Sequence, residues 1–228
     1  MKRLIGVAMM AGAAVAGTAG MAGVASAEVS VSGNVAMTSN YVWRGVQQSS
    51  GNPAIQGGFD LESDMFYAGA WASSVEFDGA TASSELDLYA GFTPSLGPVS
   101  LDLGVIGYFY PGAQDDGADF DFFEGYAGAS ISPSDSFELG AALYYSPEFS
   151  GELGEATYIE LNAAFALSDT ISLSGAVGNQ DIDAAGDYTT WNLGGTLAVH
   201  GFELDLRYHD VDVTGAEEQI SFTISRAL

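Results

Sequence analysis

The chain has 228 residues and a formal net charge of −25, with 5 Lys and Arg against 30 Asp and Glu. So few basic side chains cannot neutralise phosphates, which argues against nucleic acid and anionic lipid surfaces as partners. The absence of Cys excludes disulfides, thiolate metal sites and thiol nucleophiles. Because 47% of the residues are hydrophobic and 12% are aromatic, the chain lacks the composition of a disordered acidic protein, and a folded domain is expected.

The N-terminus has the composition of a secretory signal peptide. Lys2 and Arg3 precede an uncharged stretch rich in Ala, Gly, Met and Val, which ends in an Ala-x-Ala site at residue 27. A transmembrane anchor is the alternative, but Gly and Ala supply little transfer free energy. We therefore expect a signal peptide at 1–27 and one exported domain at 28–228.

After the N-terminal segment, apolar residues recur with the two-residue period of β-strands. Twelve segments show this period, and the connections between them alternate between long and short. Long loops at one end, short turns at the other and an even number of ~10-residue strands are typical of bacterial outer-membrane barrels. The predicted fold class is therefore all-β, an antiparallel up-and-down transmembrane β-barrel of about 12 strands. The predicted strands are 28–38, 55–62, 67–77, 85–92, 99–109, 120–131, 136–146, 157–167, 171–180, 189–199, 202–212 and 218–228.

Alternation also separates an apolar face of the strands from a charged face. Charges on a lipid-facing surface destabilise a barrel by up to ~2–4 kcal/mol for Lys or Arg at the midplane, and by less for Asp or Glu. The charged face is therefore predicted to line the interior, although alternation alone is also compatible with a soluble sandwich. The predicted pore-lining residues are Asp60, Glu62, Glu76, Glu85, Asp87, Asp102, Glu124, Glu138, Glu160, Glu203, Asp205 and Arg207.

Aromatic residues concentrate near the predicted strand ends, where membrane barrels carry two interfacial girdles. The alternative is the general preference of aromatic residues for strands. The residues on which the girdles are predicted are Tyr41, Trp43, Phe66, Tyr67, Tyr108–Tyr110, Phe120–Phe123, Tyr144, Tyr145, Tyr188, Trp191 and Phe202.

Several stretches of the exported domain resemble the TorF family of porins, and together they cover essentially its whole length. The Tyr-x-x-Arg-Gly and Pro-Ala-x-Gln-Gly-Gly-x-Asp elements are the most specific. The resemblance implies an outer-membrane barrel with pore activity and brings no established substrate or binding residues. The stretches are SNYVWRGVQQSSGNPAIQGGFD (39–60), FYAGAWASSVEF (66–77), ELDLYAGF (85–92), LDLGVIGYFYPGA (101–113), EGYAGAS (124–130) and DYTTWNLG (187–194).

An acidic lumen would concentrate cations and repel anions. We therefore predict a porin in the outer membrane of a Gram-negative bacterium, surrounded by lipid and passing small cationic or neutral solutes without a cofactor or metal. Three alternatives remain. In the first, the acids form a plugged polar core together with Arg207, tyrosines and ions. The second is a non-conducting barrel whose loops bind a partner, and the third is a secreted soluble sandwich that binds carbohydrate. Both a monomer and an oligomer fit the sequence.

Arg44, in the Trp43-Arg44-Gly45 sequence, is the candidate constriction residue, as a charge that folds inward from the loop 40–53. An equally compatible interpretation is that Arg44 ties this loop to the acidic wall. Two groups of loop acids could bind calcium or simply be solvated. These groups are Asp115, Asp116, Asp119 and Asp121, and Asp181, Asp183 and Asp187.

Two patterns suggest hydrolytic chemistry, and neither is complete. His209 lies on the same predicted strand face as the charged residues, and Ser221 falls on the neighbouring predicted strand. A nucleophilic site also needs a third group that orients the histidine. Glu85-x-Asp87 resembles one half of a glycosidase carboxylate pair, yet Ala90 stands where the second acid is expected. No enzymatic activity is therefore predicted.

Overall fold

The computed structural model describes residues 29–77, 80–113 and 119–228. The predicted signal peptide, with Asp115 and Asp116 of one acidic group, lies outside the described residues. Within the described part of the chain, no helix is long and apolar enough to cross a membrane.

Twelve long antiparallel strands form a closed barrel. The ring is closed, because the first strand pairs with the last as well as with its successor, and β6 (Ser84–Phe92) pairs with β8 (Val99–Phe109). This confirms the predicted twelve-stranded barrel and excludes the two-sheet sandwich. The barrel strands are β1 (Ser30–Thr38), β4 (Ala54–Ser63), β5 (Phe66–Ser74), β6 (Ser84–Phe92), β8 (Val99–Phe109), β9 (Phe122–Ser134), β10 (Phe137–Ser146), β11 (Ala156–Ala166), β12 (Ile171–Ile182), β13 (Gly186–Val199), β14 (Phe202–Val211) and β15 (Gln219–Ala227). Three short strands accompany them, namely β2 (Val42–Trp43), β3 (Val46–Gln47) and β7 (Ser95–Leu96).

Side chains alternate between the two faces of the barrel wall along each strand. On β11, Ile159 and Leu161 point outward and are 55% and 59% exposed, whereas Tyr158 is buried inside at 4%. Large apolar side chains are exposed in the same way on the other strands. A molecule that exposes a continuous apolar band around its whole wall needs an apolar surrounding, as the lipid-facing surface of a membrane barrel has.

Aromatic side chains form a band near each end of the outer wall. At the end with the short turns, the ring centres of Phe66 and Phe92 lie 6.1 Å apart, and those of Phe137 and Phe165 lie 6.3 Å apart. At the end with the long loops the members of the band are Phe109, Phe123, Tyr145, Trp191 and Tyr208. Several residues predicted for the girdles face the interior instead, because they share the parity of the inward acids or belong to a loop that folds inward. These are Tyr41, Trp43, Tyr67, Tyr108, Phe122 and Tyr144.

The observed strand bounds differ from the predicted bounds mainly at the long-loop end. β5 ends at Ser74, so Glu76 lies exposed in the following loop and hydrogen-bonds to Asn52. The predicted long connection at 181–188 is a short turn, because β12 and β13 remain paired up to Ile182 and Gly186. Asp181 and Asp187 therefore face each other in the strand ladder and not in a loop.

Candidate functional site

The loop between β1 and β4 folds into the barrel as a hairpin made of β2 and β3, which we call the inner hairpin (Val42–Gln47). Its two-residue turn is Arg44-Gly45, with φ of 47° and 80°. Two positive φ values in succession are those of a type I′ turn, which matches the twist of paired strands. A Cβ atom on Gly45 would overlap Thr190 and Val211 of the wall, so glycine is required both by the turn and by the close approach.

The inner hairpin and its flanks contact several strands of the wall. Trp43 stacks on Phe149 at 6.3 Å and meets the edge of Tyr108 at 5.6 Å. On the N-terminal flank of the inner hairpin, Tyr41 packs against Trp71 of β5, with 5.6 Å between the ring centres. Since Gln47 also hydrogen-bonds to Gln219 on the last strand, the segment spans the interior near the long-loop end.

Arg44 is fixed by a bidentate ion pair with the wall. Its Nη1 and Nη2 atoms lie 2.7 Å and 2.8 Å from the two carboxylate oxygens of Glu124, and Nη1 also donates to Gln180 at 2.9 Å. The guanidinium lies over the rings of Tyr144 and Tyr158 at 4.8 Å and 4.2 Å. Burial lowers the pKa of Arg44, but the Glu124 carboxylate and neighbouring groups raise it further, so the net shift is upward and Arg44 stays charged. Arg44 thus folds inward and ties its loop to the acidic wall.

Two more acids lie on β6, two strands from Glu124 around the wall. Glu85 is 2% exposed and accepts a hydrogen bond from Tyr41 at 2.8 Å, and Tyr110 hydrogen-bonds to the same carboxylate. Burial, followed by the charges of Glu85 and Asp87, raises the pKa of the Tyr41 hydroxyl, so it stays protonated and donates. Asp87 is 4% exposed, and its Oδ1 atom has no hydrogen-bond partner.

A second polar layer lies between the inner hairpin and the short-turn end. Tyr67 donates to Asp102 at 2.6 Å, and Tyr89 donates to Asp60 at 2.5 Å. Tyrosines of this layer lie flat over glycines of the neighbouring strands, where a larger residue would collide with the ring; Gly69 under Tyr89 is one example.

The opposite wall of this layer holds the second inward arginine. Arg207 pairs with Asp205 at 3.1 Å and donates to Asn192 at 2.7 Å and to Ser174 at 2.8 Å. Glu160 accepts from Tyr158 at 2.9 Å, which links this wall to the site of Arg44. The other inward acids lie toward the short-turn end and are partly or fully exposed; they are Glu62, Glu138 and Glu203.

The structure brings His209 and Ser221 together, but the residues it describes supply no third member of a hydrolytic triad. The Nε2 atom of His209 lies 3.0 Å from Oγ of Ser221. Among the hydrogen bonds of the described residues, none joins His209 to an acid or an amide, so the pair lacks an orienting group. No cluster of three or more His, Asp or Glu side chains in the described ranges could hold a metal ion.

Sequence reasoning missed the aromatic and amide side chains that receive the inner hairpin. Gln180 is fully buried and binds Arg44, and Phe149 comes from a loop between β10 and β11. The available signal was the Trp43-Arg44-Gly45 sequence, because Arg-Gly flanked by apolar residues is compatible with a tight hairpin turn. Its partners lie more than a hundred residues away in some cases and could not be paired with it from one sequence.

The sequence model of a bacterial family described as "Bacterial protein of unknown function (Gcw_chp)" matches residues 22–227. The chain belongs to this family. The match identifies the Gcw_chp family and not the TorF family, whose resemblance stays a prediction. No curated protein matches the sequence of this Gcw_chp chain.

Solved structures with a similar fold include outer-membrane porins and channels. A KdgM porin in complex with disordered oligogalacturonate matches with a TM-score of 0.58 at 6% identity, covering 86% of this chain and 96% of its own. The NanC porin matches with a TM-score of 0.58 at 8% identity, covering 87% and 98%. An outer membrane channel from Pseudomonas putida F1 matches with a TM-score of 0.53 at 12% identity, covering 86% and 94%. At these identities the likeness shows the fold.

Proposed function

We propose that this Gcw_chp barrel is an outer-membrane channel through which small cationic or neutral solutes diffuse passively. The observation that carries the proposal is the division of one closed wall into an apolar outer face and an acidic inner face. The aromatic bands at the two ends of the outer wall support a position in a bilayer. The porin fold of the compared structures and the TorF resemblance agree with this reading.

A preference for cations follows from the unequal number of inward charges. Both inward arginines are already paired, Arg44 with Glu124 and Arg207 with Asp205. The partners of Asp60 and Asp102 are tyrosine hydroxyls, which are neutral and leave the carboxylate charge in place. A negative field in a narrow lumen concentrates cations and repels anions. An acidic oligosaccharide such as the oligogalacturonate bound by the KdgM porin is therefore not the solute we propose.

The inner hairpin is proposed to form the constriction, with Arg44 as the charge at its narrowest level. On the N-terminal flank of the hairpin, Tyr41 packs against Trp71 of β5, and the turn residue Gly45 lies against Thr190 of β13, across the ring of strands. A solute that crosses the barrel must pass beside the inner hairpin or displace it. The channel is therefore expected to be small when the hairpin is in place and larger when it is removed.

Liposome swelling tests the proposed transport. Proteoliposomes that contain the refolded chain should swell faster in solutions of small neutral sugars and amine cations than in solutions of organic anions of the same size. A variant in which Val42–Gln47 is replaced by a short glycine-serine link should admit larger solutes. Equal rates for empty liposomes and for both barrels would contradict the proposal.

One observation favours a second candidate function. Because the inner hairpin spans the interior and is fixed by a buried ion pair, the barrel could be a closed structural unit whose outer loops bind a partner. In that case the wild-type chain gives no swelling, whereas the variant without the hairpin does. The two functions are therefore separated by the same assay.

A further inference from the structure

We propose that Glu85 and Asp87 bind a small monovalent cation, Na⁺ or K⁺, beneath the inner hairpin. The two carboxylates lie two residues apart on β6 and therefore share the inner face of the wall. They are 2% and 4% exposed, so water does not screen them. Two like charges buried together are strongly unfavourable and must be neutralised, either by a proton or by a bound cation.

No basic side chain of the described residues is left to supply that charge. Arg44 is committed to Glu124, and Arg207 is committed to Asp205. Arg226 faces outward, where its guanidinium lies 5.0 Å from the centre of the Phe202 ring. A cation that neutralises the β6 pair must therefore come from solution.

The neighbouring hydroxyls do not satisfy Asp87 either. Its cross-strand partners are Trp71 and Tyr108, and the Tyr108 hydroxyl donates to Glu124 at 3.1 Å. The Tyr89 hydroxyl, two residues along the same strand, donates to Asp60. This leaves Oδ1 of Asp87 as a buried oxygen without a hydrogen-bond donor, an unfavourable state that a cation in contact with it would relieve.

The composition of the site favours a monovalent ion over a divalent one. Calcium takes six to eight oxygen ligands, usually with several carboxylates. Here two carboxylates lie side by side on one strand, and one of them already accepts a hydrogen bond from Tyr41 at 2.8 Å. The described residues offer no third acid or histidine to complete a divalent site. The proposed site is a feature of the folded barrel and does not depend on whether the barrel conducts.

Thermal unfolding of the refolded full barrel in detergent tests this site. The apparent melting temperature is measured with a chelator present, at equal ionic strength, in NaCl, in KCl and in N-methyl-D-glucamine chloride, whose cation is too large to fit. We expect the melting temperature to be higher in NaCl or KCl by roughly 3–6 °C, the size expected for a ligand present at about ten times its dissociation constant. Asp87→Asn should remove this difference.

Asp102→Asn is the matched control, because Asp102 is also an inward carboxylate but already accepts from Tyr67. It should keep the difference between the salts. If Asp87→Asn does not refold, Glu85→Gln is measured in the same three salts and should lose the difference. The proposal is overturned if the wild-type barrel melts at the same temperature in all three salts. It is also overturned if the melting-temperature difference between the salts survives in Asp87→Asn or Glu85→Gln. Stabilisation by calcium alone, measured after the chelator is omitted, would overturn it as well. The melting assay can fail while the barrel still conducts, so it is independent of the proposed transport.

Discussion

The guanidinium of Arg44 and the carboxylate of Glu124 form a bidentate ion pair inside the barrel, and their side chains are 5% and 1% exposed. The two residues come from segments far apart in the chain, a loop that folds inward and the wall strand β9. Their pairing fixes the inner hairpin at one level of the lumen. The stability of the barrel and the width of the proposed constriction are therefore linked through one ion pair.

Breaking this pair should destabilise the barrel strongly. Arg44→Ala leaves the Glu124 charge buried and uncompensated, and we expect a loss of about 3–5 kcal/mol in the free energy of unfolding. Urea titration of the barrel refolded into lipid vesicles measures it. The double variant Arg44→Met with Glu124→Leu should recover most of the loss, since apolar pairs often replace buried ion pairs without cost. A loss in the double variant as large as in Arg44→Ala would show that the pair itself is not the cause.

Gly45→Ala should release the inner hairpin. The added Cβ atom would overlap Thr190 and Val211, and the residue would also be held at φ 80°. Because few basic residues are present, trypsin cleavage after Arg44 reports the release on a gel, and we expect faster cleavage in the variant. Gly97→Ala is the control, since Gly97 has φ 64° with open space around it. Equal cleavage of both variants would mean that crowding by the wall does not hold the hairpin.

The assignment of faces can be tested at two adjacent positions of β11. Leu161 points outward and is 59% exposed, whereas Asn162 points inward and hydrogen-bonds to Glu160 at 3.2 Å. Leu161→Arg places a charge at the lipid face and should cost about 2–4 kcal/mol if it lies near the midplane. Asn162→Arg introduces the same side chain next to an inward acid and should fold well. Folding yield in lipid vesicles, followed by heat-dependent gel mobility, should separate the two; equal yields would contradict the assignment.

Neutralising inward acids should weaken the cation preference. The triple variant Glu62→Gln, Asp102→Asn, Glu203→Gln removes three inward charges without touching the ion pair of Arg44. We expect the reversal potential under a salt gradient to move toward zero. A control that removes the same number of charges from the outer loops, at Glu152, Glu217 and Glu218, should shift it much less. An equal shift in both variants would locate the selectivity outside the lumen.

The strands could be predicted from the sequence because a barrel wall imposes a two-residue period on every segment. The β8 bounds, Val99–Phe109, agree with the prediction, as does the inward parity of Glu124 and Asp205. The inner hairpin could not be predicted in detail, because Arg44 meets Glu124 and Gln180 only after the barrel has closed. Glu76 was assigned to the wall because alternation continues past the point where β5 leaves the sheet.

Single-channel recording of the refolded chain in a planar bilayer under a salt gradient tests the central claim most directly. The account predicts discrete current steps with a reversal potential on the side of cation selectivity, and larger steps when the inner hairpin is removed. A barrel that is folded by gel mobility and yet carries no current, or one that selects anions, would contradict it.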